Sequence, residues 1–241
     1  MNLILVPGFW LGAWSWDKVT PALQAAGHHV NPITRPGLDS VDTDRSGIGM
    51  AETITALVEV IDSTDPSTGS GQAADVVLVG HSGGGSVIYG ATDQRPDRVS
   101  RAIYVDSGPM PDGASINTTL PGDDVEVPLP PWDLFREDGD ADLRDLTDEM
   151  LAEFMARAVP EPAGVARDPL SVSNPARFDV PITMISTTFT REEIEEAISN
   201  EVPYFAELPR IHDVEIVELP TGHWPQFSKP DELAAQILAA L

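Results

Sequence analysis

The stretch VVLVGHSGGGSV, Val76 to Val87, decides how the rest of the chain is read. An apolar strand run stops at Gly80, shows one serine, and passes through further glycines into a helical pattern with Val87, Ile88 and Ala91 on one side. Gly80-His81-Ser82-Gly83-Gly84 fits G-x-S-x-G, a motif that has meaning only at a sharp strand-to-helix turn, and that is its setting here. The serine backbone is strained at such a turn, and side chains beside it would strike the strand and the helix, so glycines flank it. Free N–H groups at the helix start point at any negative charge forming beside Ser82. A serine in this place could also be a plain helix cap. The setting favours a nucleophile.

Strand and helix patterns alternate on both sides of this turn, which predicts an α/β fold: a mostly parallel six-stranded sheet with helices on both faces. The strand runs are Leu3–Val6, His29–Ile33, Val76–Val79, Ala102–Val105, Ile182–Ile185 and Val214–Val217. Thr20 reads as a helix cap, with Pro21 first in the helix and Gly27 just past its end. Met50, Ile54, Leu57, Val58 and Ile61 share one helix face, and Asp62–Asp75 reads as a polar loop. A last helix is expected from near Ser228, burying Ala234, Ile237, Leu238 and Leu241. Residues 1–241 are expected to form one domain. Within it, 109–178 breaks the alternation with Pro-rich turns, the acidic run EDGDAD and a helix bearing Leu151, Phe154, Met155 and Ala158, and it has no strand pattern of its own. It is too long for a structureless loop and reads as a helical lid.

A serine nucleophile needs a base within hydrogen-bond reach. Of five histidines, His28 and His29 precede the second strand, His212 precedes the last, and His81 lies inside the motif, facing away from the reacting side. His223 alone follows a strand at its C-terminal end, the edge where α/β sheets bind ligands. Elimination leaves His223.

Composition removes other classes. The chain has no cysteine, hence no disulfide, thiol nucleophile or thiolate metal site. A net charge of −25 argues against nucleic acid, which needs clustered Lys and Arg. There is no apolar run long enough for a membrane span. MNLILVPG reads as the first strand rather than as a signal peptide, so a cytoplasmic protein is expected. The histidines lack metal-ligand spacing, and no G-x-G-x-x-G follows the first strand, so neither a metal nor a dinucleotide cofactor is expected.

GHSGG after a strand, the terminal TGHWPQFSKP loop and the opening LVPGFWLGAWSWDKV together resemble the α/β-hydrolase family, in its branch of small esterases, plant methylesterases and hydroxynitrile lyases. ITRPGLDS resembles that family's loop after the second strand, and Pro7 stands where the family usually has histidine. The resemblance implies an oxyanion hole from two backbone N–H groups, here those of Phe9 and Gly83. It also suggests Trp10 as a substrate contact. It runs into trouble at the triad acid. Most relatives carry an Asp after the penultimate strand, but PITMIS leads into TTFTREEIEEA, which has none. Glu192 and Glu193 are nearest there, yet Thr190-x-x-Glu193 is a capping box and accounts for them structurally. The other position that geometry permits is the end of the strand after the nucleophile helix, where IYVDSGP puts Asp106. Adjacent strand ends lie about 5 Å apart, within reach of a carboxylate one or two strands over.

The expected function is a serine hydrolase that cleaves a small or medium hydrophobic ester or lactone through an acyl-enzyme on Ser82. A small-molecule binding protein on the same fold is the alternative. Hydroxynitrile-lyase chemistry needs a pocket cation, and the only lysines, Lys18 and Lys229, are poorly placed for it.

Overall fold

Central strands of a parallel sheet are buried on both faces, and the apolar runs obey that rule. In this computed structural model, which describes residues 1–65, 76–137 and 141–241, the elements follow one another as β1 (Asn2–Val6), α1 (Thr20–Ala25), β2 (His29–Pro32), α2 (Met50–Ser63), β3 (Val76–His81), α3 (Gly83–Gln94) and β4 (Val99–Val105). Next come β5 (Glu126–Val127), α4 (Trp132–Glu137), α5 (Asp148–Arg157), β6 (Glu161–Pro162), α6 (Ala163–Arg167), β7 (Ile182–Ser186), α7 (Arg191–Ser199), β8 (Val214–Glu218), α8 (Pro225–Ser228) and α9 (Pro230–Ala239).

Six strands form one sheet in the order β2-β1-β3-β4-β7-β8, and every neighbouring pair is parallel. Side chains alternate between two cores. Leu3, Leu5, Val77, Val79, Ile103 and Val105 pack with Leu23 of α1 and Leu233 and Ile237 of α9. Ile4, Val6, Leu78, Ala102, Tyr104 and Met184 pack on the other face with Ile54 and Leu57 of α2, Ile88 of α3 and the 109–178 segment. The chain leaves β1 towards β2 and returns to β3 on the other side, so strand order reverses at β1 and β3. A crevice opens outside the C-terminal ends of such strands. The turns that follow β1 and β3 carry Phe9 and Ser82.

Several expectations change in detail. Thr20 is the first helical residue and not the cap, because Val19 before it already has helical dihedrals. The C-terminal helix is split at Lys229, since the residue before a proline is pushed out of the helical region and Pro230 follows. Ala234 and Ile237 are buried, while Leu238 and Leu241 are half-buried. The 109–178 segment, expected to be without strands, holds β5 and β6, which pair antiparallel with Val127 opposite Glu161. Two-residue strands are too short to leave a period in the sequence. Residues 66–75 of the expected polar loop and 138–140 of the acidic run lie outside the described residues. Among the described residues no helix is long and apolar enough to cross a membrane.

Candidate active site

The turn after β3 places Ser82 at φ 51°, a left-handed conformation that costs a non-glycine residue about 1–3 kcal/mol. Hydrogen bonds hold it there, the Ser82 N–H donating to Val105 O at 3.1 Å and the Ser107 hydroxyl donating to Ser82 O at 2.7 Å, and close packing helps. A Cβ on Gly84 would lie 2.7 Å from the carbonyl oxygens of Val6 and Pro7, so α3 starts directly against the end of β1. Ser82 precedes α3, but its side chain does not cap the helix. Its Oγ lies 2.8 Å from His223 Nε2.

His223 stands in the loop between β8 and α8. Its Nδ1 lies 2.6 Å from Asp106 Oδ2. Asp106 follows β4 directly, at φ 43°. Its Oδ1 accepts the backbone N–H groups of Thr187 and Thr188 at 2.9 and 3.0 Å and the Thr188 hydroxyl at 3.0 Å. The turn after β7 therefore supplies no carboxylate. It supplies donors that orient one arriving from β4. Glu193 closes the capping box with Thr190, its Oε2 accepting the Thr190 N–H at 2.7 Å, and Glu192 is exposed.

Charges follow this geometry. Burial raises the Asp106 carboxyl, but the His223 hydrogen bond and charge and the two backbone N–H groups outweigh it, so it titrates far below the carboxylate range. Burial lowers His223, and the Asp106 hydrogen bond and charge, aided by Asp142, reverse that and raise it. His81 is fully buried. Its Nε2 donates to the His223 carbonyl at 2.7 Å, and burial together with the His223 charge pulls it down to about 3. It is neutral and holds the histidine loop from beneath. The sequence predicts it turned from the reacting side and gives no sign of this contact, or of its ring lying 5.0 Å from that of His223.

The loop after β1 brings Phe9 onto the start of α3: a Cβ on Gly83 would fall 2.5 Å from the Phe9 ring. Among the described residues neither the Phe9 nor the Gly83 N–H has a hydrogen-bond acceptor, Gly83 being the first residue of its helix. Trp10, suggested as a substrate contact, lies in the loop beside Phe9. It is 5% exposed, its indole N–H donates to Val127 O at 3.0 Å, and its ring meets Phe9 and Phe135 edge-on. Three of the five described non-glycine residues with positive φ are Trp10, Ser82 and Asp106. Backbone strain is thus concentrated at this site.

A cavity of about 440 Å³ opens on the Asp106 side of His223. Met184, Phe189, Ile194, Tyr204 and Phe205 form its apolar wall, and Asp142, Ser107, Ser186 and Thr188 are its polar lining besides the pair itself. Among the described residues no lysine or arginine lines it. Lys229 is engaged with the Pro220 carbonyl at 2.8 Å.

A strained serine between strand and helix, a histidine on the next-to-last loop and a carboxylate behind it define the class of α/β folds built around a nucleophile turn. The family model described as "Alpha/beta hydrolase family" matches residues 3–236, and the chain belongs to that family. It is similar to Methylesterase 3 of Arabidopsis thaliana, 36% identical over 115 residues, which is 46% of this chain and 40% of that protein. It is also similar to the carbendazim hydrolyzing esterase of Nocardioides sp. (strain SG-4G), 32% identical over 121 residues, 50% of this chain and 47% of that protein. These alignments thus span under half of each curated relative's length. Among solved structures, an extracellular alpha/beta-hydrolase from a Paenibacillus species superposes with a TM-score of 0.76 at 20% identity, covering 100% of this chain and 98% of that one. That likeness concerns the fold.

Proposed function

We propose that this protein is a serine carboxylic ester hydrolase acting through an acyl-enzyme on Ser82. The observation that carries the reading is the hydrogen-bonded series Ser82–His223–Asp106, with distances of 2.8 and 2.6 Å, beside two unengaged backbone N–H groups. His223 donates Nδ1–H to Asp106, which leaves Nε2 free to accept the Ser82 proton as Oγ attacks the ester carbonyl. The Phe9 and Gly83 N–H groups receive the oxyanion, each supplying about 3 kcal/mol. The protonated His223 gives its proton to the leaving alkoxide. It then deprotonates a water, which attacks the acyl carbonyl and frees Ser82.

Small or medium hydrophobic esters or lactones are the substrates. The names of the methylesterase and esterase relatives support this reading, and so does the apolar wall of the cavity beside the His223–Asp106 pair, a cavity that Ser82 itself does not line. Acidic Asp142 in the lining, with no lysine or arginine there among the described residues, disfavours substrates that bear a free carboxylate. In this reading 109–178 is the cap over the site within one domain.

Intact-mass labelling with a fluorophosphonate tests it. One adduct is expected on the wild type, absent from Ser82→Ala and slowed in His223→Ala and Asp106→Ala. A folded wild type that forms no adduct would replace this reading with a binding protein on the same fold.

A further inference from the structure

The Pro7–Trp10 loop is held in shape by side chains from outside it. Arg35 Nε donates to Pro7 O at 3.1 Å and Arg35 Nη2 to Gly8 O at 2.9 Å. Glu161 Oε2 accepts the Trp10 N–H at 3.2 Å. Trp10 O accepts from Val159 N–H at 3.0 Å, and the indole N–H goes to Val127 O at 3.0 Å. Every polar group of Trp10 thus ends on the 109–178 segment. Trp10 adopts φ 63°, so its conformation depends on these partners.

Arg35 and Glu161 also close on each other, at 2.6 and 2.9 Å, with side chains 1% and 0% exposed. Desolvation of two such charges offsets most of their mutual attraction, so an ion pair this deep contributes little net stability over an apolar replacement. What it does fix is backbone direction. The pair takes the carbonyls of Pro7 and Gly8 on one side of Phe9 and the N–H of Trp10 on the other, and it leaves the Phe9 N–H between them unengaged.

We propose that Arg35 and Glu161 are positioning residues for the Phe9 N–H, through which the 109–178 segment sets the alignment of the oxyanion donor. This rests on the serine hydrolase reading. Neither residue touches the substrate; they act through the loop. A hydrogen-bond donor displaced by about 1 Å from a developing charge forfeits about 10²-fold in rate.

The test compares Glu161→Gln, Glu161→Asp and the charge-free double variant Arg35→Met/Glu161→Leu with wild type, with active sites counted by fluorophosphonate. The glutamine keeps shape but leaves Arg35 unpaired, the aspartate keeps charge but shortens the reach to Trp10, and the double variant removes both charges. Each is expected to lose about 10²-fold in kcat with KM near wild type. The acid limb of the pH profile should stay in place, because His223 and Asp106 are untouched. Affinity for an aryl trifluoromethyl ketone, which adds to Ser82 and forms an oxyanion, should weaken by the same factor as kcat. If Glu161→Gln does not fold, the double variant carries the test. Folded variants with wild-type kcat and ketone affinity but a lowered Tm would overturn the proposal, as would an acid limb that moves with the rate. A wild type that forms no adduct overturns the hydrolase reading and this proposal with it. A reactive wild type matched in rate by all three variants overturns this proposal alone.

Discussion

Asp106 Oδ2 lies 2.6 Å from His223 Nδ1 although their strands are not neighbours, since β7 separates β4 from β8. The carboxylate crosses that gap because the turn after β7 curls towards it and donates three hydrogen bonds from Thr187 and Thr188. The turn that lacks an aspartate clamps Asp106 instead.

Asp106→Asn should therefore cut kcat/KM by about 10⁴-fold, since an amide facing Nδ1 favours the wrong imidazole tautomer. Glu192→Ala/Glu193→Ala should leave kcat unchanged and cost about 1 kcal/mol of stability, because alanine has no acceptor for the Thr190 N–H and the capping box is lost. Ester hydrolysis and thermal melts on the two variants separate the cases. A large rate loss in the glutamate variant would return the acid to the β7 turn.

His223 is raised above the ordinary histidine value of about 6.5, and the neutral form is the base. Activity should accordingly rise with pH through a midpoint above that value. In Asp106→Asn, the residual activity should show the midpoint moved down, because burial then acts without the opposing charge. A pH series of kcat/KM for both proteins checks the sign.

His81 titrates in the opposite sense. Its value in the folded protein is lowered to about 3, while the unfolded chain takes up the proton near 6.5. Between those limits the unfolded state binds more protons, so His81 destabilises the fold as pH falls, by up to about 1.4 kcal/mol per pH unit. Asp106 adds to the loss from about pH 4 downwards, its folded value being depressed. His223, raised in the fold, contributes stability that is complete below about pH 6.5 and is lost as pH rises through its folded value. Urea unfolding of His81→Gln should show a flatter pH dependence between about 4 and 6 than wild type.

Gly84→Ala should destabilise by about 2 kcal/mol or more, because its methyl would meet two backbone carbonyls at 2.7 Å and neither can move without shifting β1. Gly27→Ala, at φ 91° with nothing within 4 Å, should cost only about 1 kcal/mol of backbone strain. Chemical denaturation of the two variants measures the difference between close approach and conformational strain.

Local chemistry determined much of this from the sequence alone. The apolar runs that set the six parallel strands, the glycines around Ser82 and the capping box at Thr190 are short-range patterns, and each is expressed where its residues stand. The place of His223 at the C-terminal edge, 2.8 Å from Ser82, was legible because strand direction alone dictates which loops reach that edge of a parallel sheet. Tertiary structure decided what depends on long-range approach. Strand order already put Asp106 within reach of His223, 117 positions away, but nothing in the sequence announced that Arg35 would meet Glu161 across 126. The Glu161 contact comes from a segment whose two-residue strands leave no pattern to read. Such pairings are set by loop direction and strand order, which no local propensity encodes. Hence the strand-to-helix turn at Ser82 could be read from twelve consecutive residues, while the groups that hold Asp106 and the Pro7–Trp10 loop emerged only once the sheet had brought distant turns together.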